Sequence, residues 1–320
     1  MAARILIGTA SWADKPLIES GQFYPPAATS AEERLRYYAS QFPLVEADTT
    51  YYALPAEAMT RAWVERTPPG FVFDVKAFAL FTEHPAAVAR LPKEGRELLP
   101  AALAGKKNIY RKDLAPDFID FAWASFIDAL APLHQAGKLG LVLFQFPKWV
   151  FPNSRTWKYF EEIKRRLGPY RAAVEFRNEI WLRPDEREET LARVGELGFT
   201  YVCVDEPQGF PSSVPPIAVA TSDIGFVRFH GRNRETWEKR TQTSAERFDH
   251  WYERDELAEW APRIRDLARE TAELHLIMNT NNDDQGPANA RLLGELLESE
   301  GLRPVVATAA GTPTSESGSR

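Results

Sequence analysis

The chain has 320 residues, 44% hydrophobic and 26% charged, with a formal net charge of −6. That is an ordinary globular composition, long enough for a large core without staples. The negative balance disfavours nucleic-acid binding by bulk charge, and a single cysteine, Cys203, excludes an internal disulfide and a cysteine-rich zinc site.

The start, MAARILIGTASW, turns polar too early for a signal peptide. No run of 18 apolar residues occurs, so a cytoplasmic protein without a membrane span is expected. The first β-type run is RILIG (4–8). PLVEA (43–47) follows a helical stretch at 30–42 that opens on a Ser cap with acids in its first turn. A second helical stretch, 56–67, places Met59, Trp63 and Val64 on one face before FVFDVKA (71–77). Next comes a long insertion, 78–138. Its basic tip AGKKNIYRKDLAP (104–116) reads as a loop, and its last part (116–137) as an apolar helix stopped by Gly137.

LGLVLFQF (139–146), RAAVEF (171–176) and FTYVCVD (199–205) then alternate with helical stretches at 154–168 and 185–198. The connection 206–223 is rich in Pro and Ser and reads as irregular. GFVRFHG (225–231) and LHLIMNTN (274–281) complete the set, with helical stretches at 255–270 and 286–301. Eight strands with crossovers predict an α/β fold: one (β/α)8 TIM-type barrel over 1–305, with a helical insertion after strand 3 and a disordered tail over 306–320. A doubly wound open sheet is the alternative. No strand is followed by a dinucleotide-binding or P-loop glycine pattern.

Such barrels carry their chemistry at the carboxyl ends of the strands. The i, i+2 spacing of Asp74/Lys76, Glu175/Arg177 and Arg228/His230 puts each pair on one face, with Val75, Phe176 and Phe229 towards the helices. Charges buried on strands need partners or a ligand, so strand ends of this kind predict a rim site. Glu46, Glu175 and Asp205, with Lys76 and His230, are the catalytic candidates for acid–base work. Arg177 and Arg228 suit an anion clamp, joined by Lys76 and His230. Gln145, Asn281 and Asn282 can orient hydroxyls or amides, although Asn281 and Asn282 also suit a simple turn. Trp12, Tyr52 and Trp181 can stack on a flat or sugar-like group, and His84 falls near the rim.

Cys203 reads as a buried filler. Trp63, Trp123 and Trp260 read as core, and His134, His250 and His275 as lying away from the rim. Glu46, Glu175, Asp205 and His230 also offer a donor set for a divalent metal, Mg²⁺ or Mn²⁺, opposed by the neighbouring arginines.

The motifs IGTASW, FPLVEADTTYYALP, PPGFVFDVKA, LGLVLFQFP, AVEFRNEIW, VRFHGRN and NTNNDDQGPANA, in that order, resemble those of the YecE-like family, the domain of unknown function 72. The likeness spans roughly residues 4–300. It implies a TIM-type barrel and no established reaction. Two places depart from the family pattern. Asp48 stands where Asn is usual and Tyr51 where Phe is usual, and Ala10-Ser11 precede Trp12 where the pattern has S/T-G.

The expected function is an enzyme, a hydrolase or isomerase, acting on a small anionic or sugar-like substrate, phosphorylated ones included. Nucleic-acid binding or repair is second, through GKKNIYRK (105–112), KRR (164–166) and GRNRETWEKR (231–240), where Trp237 lies between cations. A non-catalytic ligand-binding barrel is third. Oligomeric state is not readable from the chain.

Overall fold

Runs of Val, Ile, Leu and Phe with few polar interruptions suit strands buried on both faces, under helices outside and packed side chains inside. The computed structural model describes residues 3–239 and 244–307. Its eight parallel strands are β1 (Arg4–Ala10), β2 (Leu44–Ala47), β3 (Val72–Lys76), β4 (Leu139–Phe146), β5 (Arg171–Phe176), β6 (Thr200–Asp205), β7 (Ile224–Phe229) and β8 (Glu273–Met278). Each pairs with its neighbour in sequence, and β8 closes on β1. The fold is the expected closed barrel, and the open sheet is excluded. Most of the proposed tail, residues 308–320, and Arg240 of the basic segment 231–240 lie outside the described residues.

The helical stretches fold largely as their patterns predict. In α1 (Ala31–Gln41) the Ser30 hydroxyl accepts from the Glu33 N–H, and the Glu33 carboxylate accepts from the Ser30 N–H. α2 (Glu57–Glu65) and α3 (Pro116–Gln135) bury Trp63 and Trp123 in the core. α4 (Ser154–Leu167) is capped by Asn153, and α5 (Arg187–Glu196) follows β5.

Two expectations change. The stretch at 255–270 is two helices, Arg254–Ala258 and α6 (Ala261–Glu270), because Pro262 lacks the N–H needed to continue one into the other. The basic tip of the insertion is not all loop: Asn108–Ile109 pairs antiparallel with Ala86–Ala87, and Ile109 is buried. The connection 206–223 contains no regular element, as expected. α7 (Gln285–Ser299) covers the junction of β1 and β8.

Inside the barrel, a buried polar layer lies two residues below the mouth. His275 Nδ1 is 2.8 Å from Asp74 Oδ2, and its Nε2 is 2.8 Å from Glu273 Oε1. Gly140 makes room for it, since a Cβ there would lie 2.4 Å from Asp74 Oδ1 and 3.0 Å from the His275 ring. His275 is therefore below the rim, as its early place in β8 predicts, and it pairs there with two carboxylates. Among the described residues, no helix is long and apolar enough to cross a membrane.

Candidate functional site at the barrel mouth

Period two sends Glu46, Glu175 and Arg228 inward from β2, β5 and β7, to one level of the barrel. Arg228 donates from Nε to Glu46 Oε2 (2.8 Å), from Nη2 to Glu46 Oε1 (2.5 Å) and from Nη1 to Glu175 Oε2 (2.5 Å). All three side chains are fully buried. Burial would raise the Glu175 carboxyl, but Arg177 and then Arg228 overcome it and hold it well below the usual carboxylate range. Glu46 has a weaker set of neighbours: burial, aided by Asp48, pushes it up to about 8 against Arg228 and Lys76. The charge of Arg228 is thus balanced chiefly by Glu175.

His230 closes this layer. Its Nε2 lies 2.9 Å from Arg177 Nη2 and 3.2 Å from Glu175 Oε1, and its Nδ1 lies 2.8 Å from the Asn279 carboxamide. Burial, and then Arg177, push its pKa well down, so the ring is neutral. Arg177 itself reaches Glu206 Oε2 (2.9 Å) and, off the hydrogen-bond axis, Glu175 Oε1 (2.6 Å); Gln145 donates to the same Glu175 oxygen (2.8 Å). Its guanidinium lies over the Trp237 ring, 5.0 Å from the centroid.

Above this floor opens a cavity of about 450 Å³. Lys76, Arg177, Gln145, Asn279 and Asn281 reach it from β3, β5, β4 and the end of β8; Asp48, Tyr51 and Tyr52 from the short helix Thr49–Tyr52 and its cap after β2; and His84 and Trp149 from the connections after β3 and β4. Trp237 and Phe248 complete an aromatic wall. Lys76 Nζ is 3.7 Å from Asp48 Oδ1 and 5.1 Å from the Tyr51 ring centroid. His84, held at Nδ1 by the Thr82 hydroxyl (2.9 Å), is pushed down to about 4 by burial, Lys76 and Arg177, and is neutral. Asp14, just outside, is raised to about 6 by burial and by Asp48.

The candidates therefore separate into three groups. Lys76, Tyr52, His84, Gln145, Arg177 and Asn281 line the cavity. Glu46, Glu175, Arg228 and His230 lie beneath it as its floor. The rest are elsewhere. Asp205 points out of the barrel, where it accepts from Tyr252 Oη (2.6 Å), Trp260 Nε1 (2.6 Å) and Arg232 (2.7 Å), so its expected place in the rim is corrected. Trp181 is fully buried, stacked 4.2 Å from Phe176, with its indole donating to the Val150 carbonyl. Trp12 packs edge-on against Trp63 (5.3 Å) and accepts at its carbonyl from the Tyr24 hydroxyl. Neither tryptophan faces the cavity. Asn282 makes the turn into α7, its carbonyl accepting from the Gln285 N–H (3.1 Å).

Glu206 takes the position expected of Asp205. Val204 pairs in register with Arg228, so parity carries inward to residue 206, one past the last acid of the strand run. Its Oε1 accepts from the Val214 N–H (2.7 Å), and burial raises its carboxyl to about 8 despite Arg177. Asn279 follows from the same parity. Trp149 and Phe248 had no signal in sequence, because each stands in a connection outside the strand pattern.

Cys203 is fully buried on the outward face of β6, with burial pushing its thiol up to about 12. Ser11 has φ 73, a conformation in which glycine is at ease, at the place where the resembled pattern has Gly. His250 stands in a connection; its ring lies against Gly231 and its Nε2 is 3.0 Å from Glu256 Oε2.

The metal alternative loses its donor set, since Arg228 stands between Glu46 and Glu175, and Asp205 faces away. Among the described residues, no group of three or more His, Cys, Asp or Glu side chains is placed to hold a metal ion. The basic segments are partly consumed by structure. Arg166 pairs with Asp120 (2.8 Å) and Glu162 (2.7 Å), Arg232 with Asp205 and Glu259, and Trp237 is buried.

Comparison with known proteins agrees with this architecture. The family profile described as protein of unknown function DUF72 matches residues 6–314. The UPF0759 protein YunF of Bacillus subtilis is 30% identical over 306 residues, covering 94% of this chain and 98% of its own. The UPF0759 protein YecE of Escherichia coli K12 is 25% identical over 309 residues, covering 91% and 92%. A crystal structure of a DUF72 family protein from Thermotoga maritima, 28% identical, superposes with a TM-score of 0.71 over 92% of this chain and 99% of that one. One from Enterococcus faecalis, 25% identical, gives 0.72 over 92% and 95%.

Proposed function

The chain belongs to the DUF72 family of proteins of unknown function, and on that premise we propose that it is an enzyme acting by acid–base chemistry on a small anionic or sugar-like substrate held in the barrel mouth. One observation carries the reading. A cavity of about 450 Å³ at the carboxyl ends of the strands brings Lys76 and Arg177 together with Asp48 between aromatic walls. Lys76 and Asp48 meet at 3.7 Å and form the acid–base couple, the amine on the protonating side and the carboxylate as base. Arg177, held from behind by Glu175 and Glu206, clamps the anion. Gln145, Asn279 and Asn281 orient hydroxyls, and the half-exposed Tyr52 and Trp149 stack on the ring or carbon skeleton. Glu46, Glu175, Arg228 and His230 act through these groups as positioning residues.

The test is a thermal-shift screen of sugar phosphates and sugar acids, followed by mass-spectrometric turnover assays on those that bind. Lys76→Gln and Asp48→Asn should each lower kcat by about 10²-fold or more, and Arg177→Gln should raise KM. Turnover that survives both Lys76→Gln and Asp48→Asn removes the couple from the chemistry.

A further inference from the structure

A second cavity, of about 480 Å³, adjoins the first, and Trp149 lines both. The partition between them is built with care. The indole N–H of Trp149 donates to the Glu83 carbonyl (3.3 Å), and the ring lies 5.6 Å from that of His84. Glu83 has φ 62, a left-handed conformation unfavourable for a residue with a Cβ. That backbone sends two consecutive side chains to opposite sides: His84 to the first cavity and Glu83 to the second.

The second cavity is cationic on a protein of net charge −6. Its two acids, Glu83 and Glu162, are both engaged by Arg111, at 3.3 and 3.2 Å, with Arg111 stacked 4.0 Å above the Tyr159 ring. Lys112, Arg155 and Lys158 also line it, are exposed, and make no ion pair among the described residues. With Arg111 counted, four cations stand against two acids. Cations left unpaired around a concave site, beside an aromatic that is 53% exposed, fit a multivalent anion better than a neutral group.

We propose that this cavity is a second anion subsite of the same binding cleft, and that the substrate is an elongated molecule with two phosphate-class groups, one between Lys76 and Arg177, the other among Arg155, Lys158 and Lys112, its middle lying across Trp149. This rests on the proposed function of the first cavity for its inner half only.

A molecular ruler tests it. Linear alkanediol bisphosphates of graded chain length, alkyl monophosphates of matching length, and inorganic phosphate are titrated by calorimetry into the full chain, Arg155→Glu/Lys158→Glu and Lys76→Gln. At one span of lengths the bisphosphate should bind at least about tenfold tighter than its monophosphate (about 1.4 kcal/mol). Arg155→Glu/Lys158→Glu should abolish that gain and leave monophosphate affinity within about twofold, while Lys76→Gln should weaken both ligands together. Both lysine and arginine side chains at 155 and 158 are exposed, and an unchanged melting temperature certifies the fold of the double variant.

No gain at any length, or a gain that survives the double substitution, overturns the second subsite; monophosphate binding sensitive to Lys76→Gln then leaves the first reading standing. Conversely, monophosphates that ignore Lys76→Gln, with inorganic phosphate binding lost only in the double variant, overturn the first reading and uphold the second subsite.

Discussion

His275 is a buried imidazole with a carboxylate on each nitrogen, and its removal tests the electrostatics of the barrel interior. Burial alone would lower its pKa; Asp74 and Glu273, each 2.8 Å away, overcome this and raise it from the usual 6.5 to about 9. The imidazolium is favoured in the folded state, so its contribution is complete below about pH 6.5 and is lost as pH rises through 9. A shift of that size corresponds to on the order of 3 kcal/mol. His275→Gln keeps a donor for Asp74 but cannot titrate. Guanidinium denaturation of both proteins at intervals from about pH 6 to pH 9.5 should show a stability gap of about 3 kcal/mol at the acid end. The gap should close progressively above about pH 6.5. Glu46 and Glu206, which also release protons late, are present in both proteins and cancel in the difference. A gap that stays constant or widens with pH would refute a charged His275.

Three further outcomes follow from the mouth. Arg228→Met strips the buried Glu175 of one of its two arginines and should destabilise the fold by about 3–5 kcal/mol; the triple variant with Glu46→Gln and Glu175→Gln should recover much of this in the same denaturation assay. Glu206→Gln should match the wild type in melting temperature at about pH 4.5 and exceed it increasingly up to about pH 8, because the raised carboxyl of Glu206 loses its stabilising contribution between its unfolded value of 4.5 and about 8 and the amide does not. Asp205→Asn should lower stability by about 1–3 kcal/mol by leaving one of its donors, Tyr252, Trp260 or Arg232, unpaired. Calorimetry should nevertheless find its affinity for cavity ligands unchanged; a loss of affinity would return Asp205 to the site.

Much of the site was legible because the barrel turns strand parity into geometry. Spacing alone puts Arg228 with His230 and Glu175 with Arg177, and the structure brings these four into one connected network. Parity misleads at β6, where Asp205, the last acid of the run, is the residue the strand pattern points inward. The register of Val204 with Arg228 makes residue 206 the inward one instead. The aromatic candidates fared worse. Trp12 and Trp181 stand next to motif residues, yet both are absorbed by packing against Trp63 and Phe176, while Trp149 and Trp237, in connections without periodicity, line the cavity.

By itself the sequence determined the number of strands, their order, the face on which charged pairs stand and the family to which the motifs belong, since these depend on local periodicity and on ordered motifs along the chain. Only the tertiary structure decided which charges meet. Arg228 contacts Glu46 from 182 residues away and Glu175 from 53. The floor of the cavity, the low pKa of Glu175 and the neutrality of His230 all arise from those long-range encounters in a water-poor interior, where a partner a few ångströms away outweighs anything the chain encodes next door.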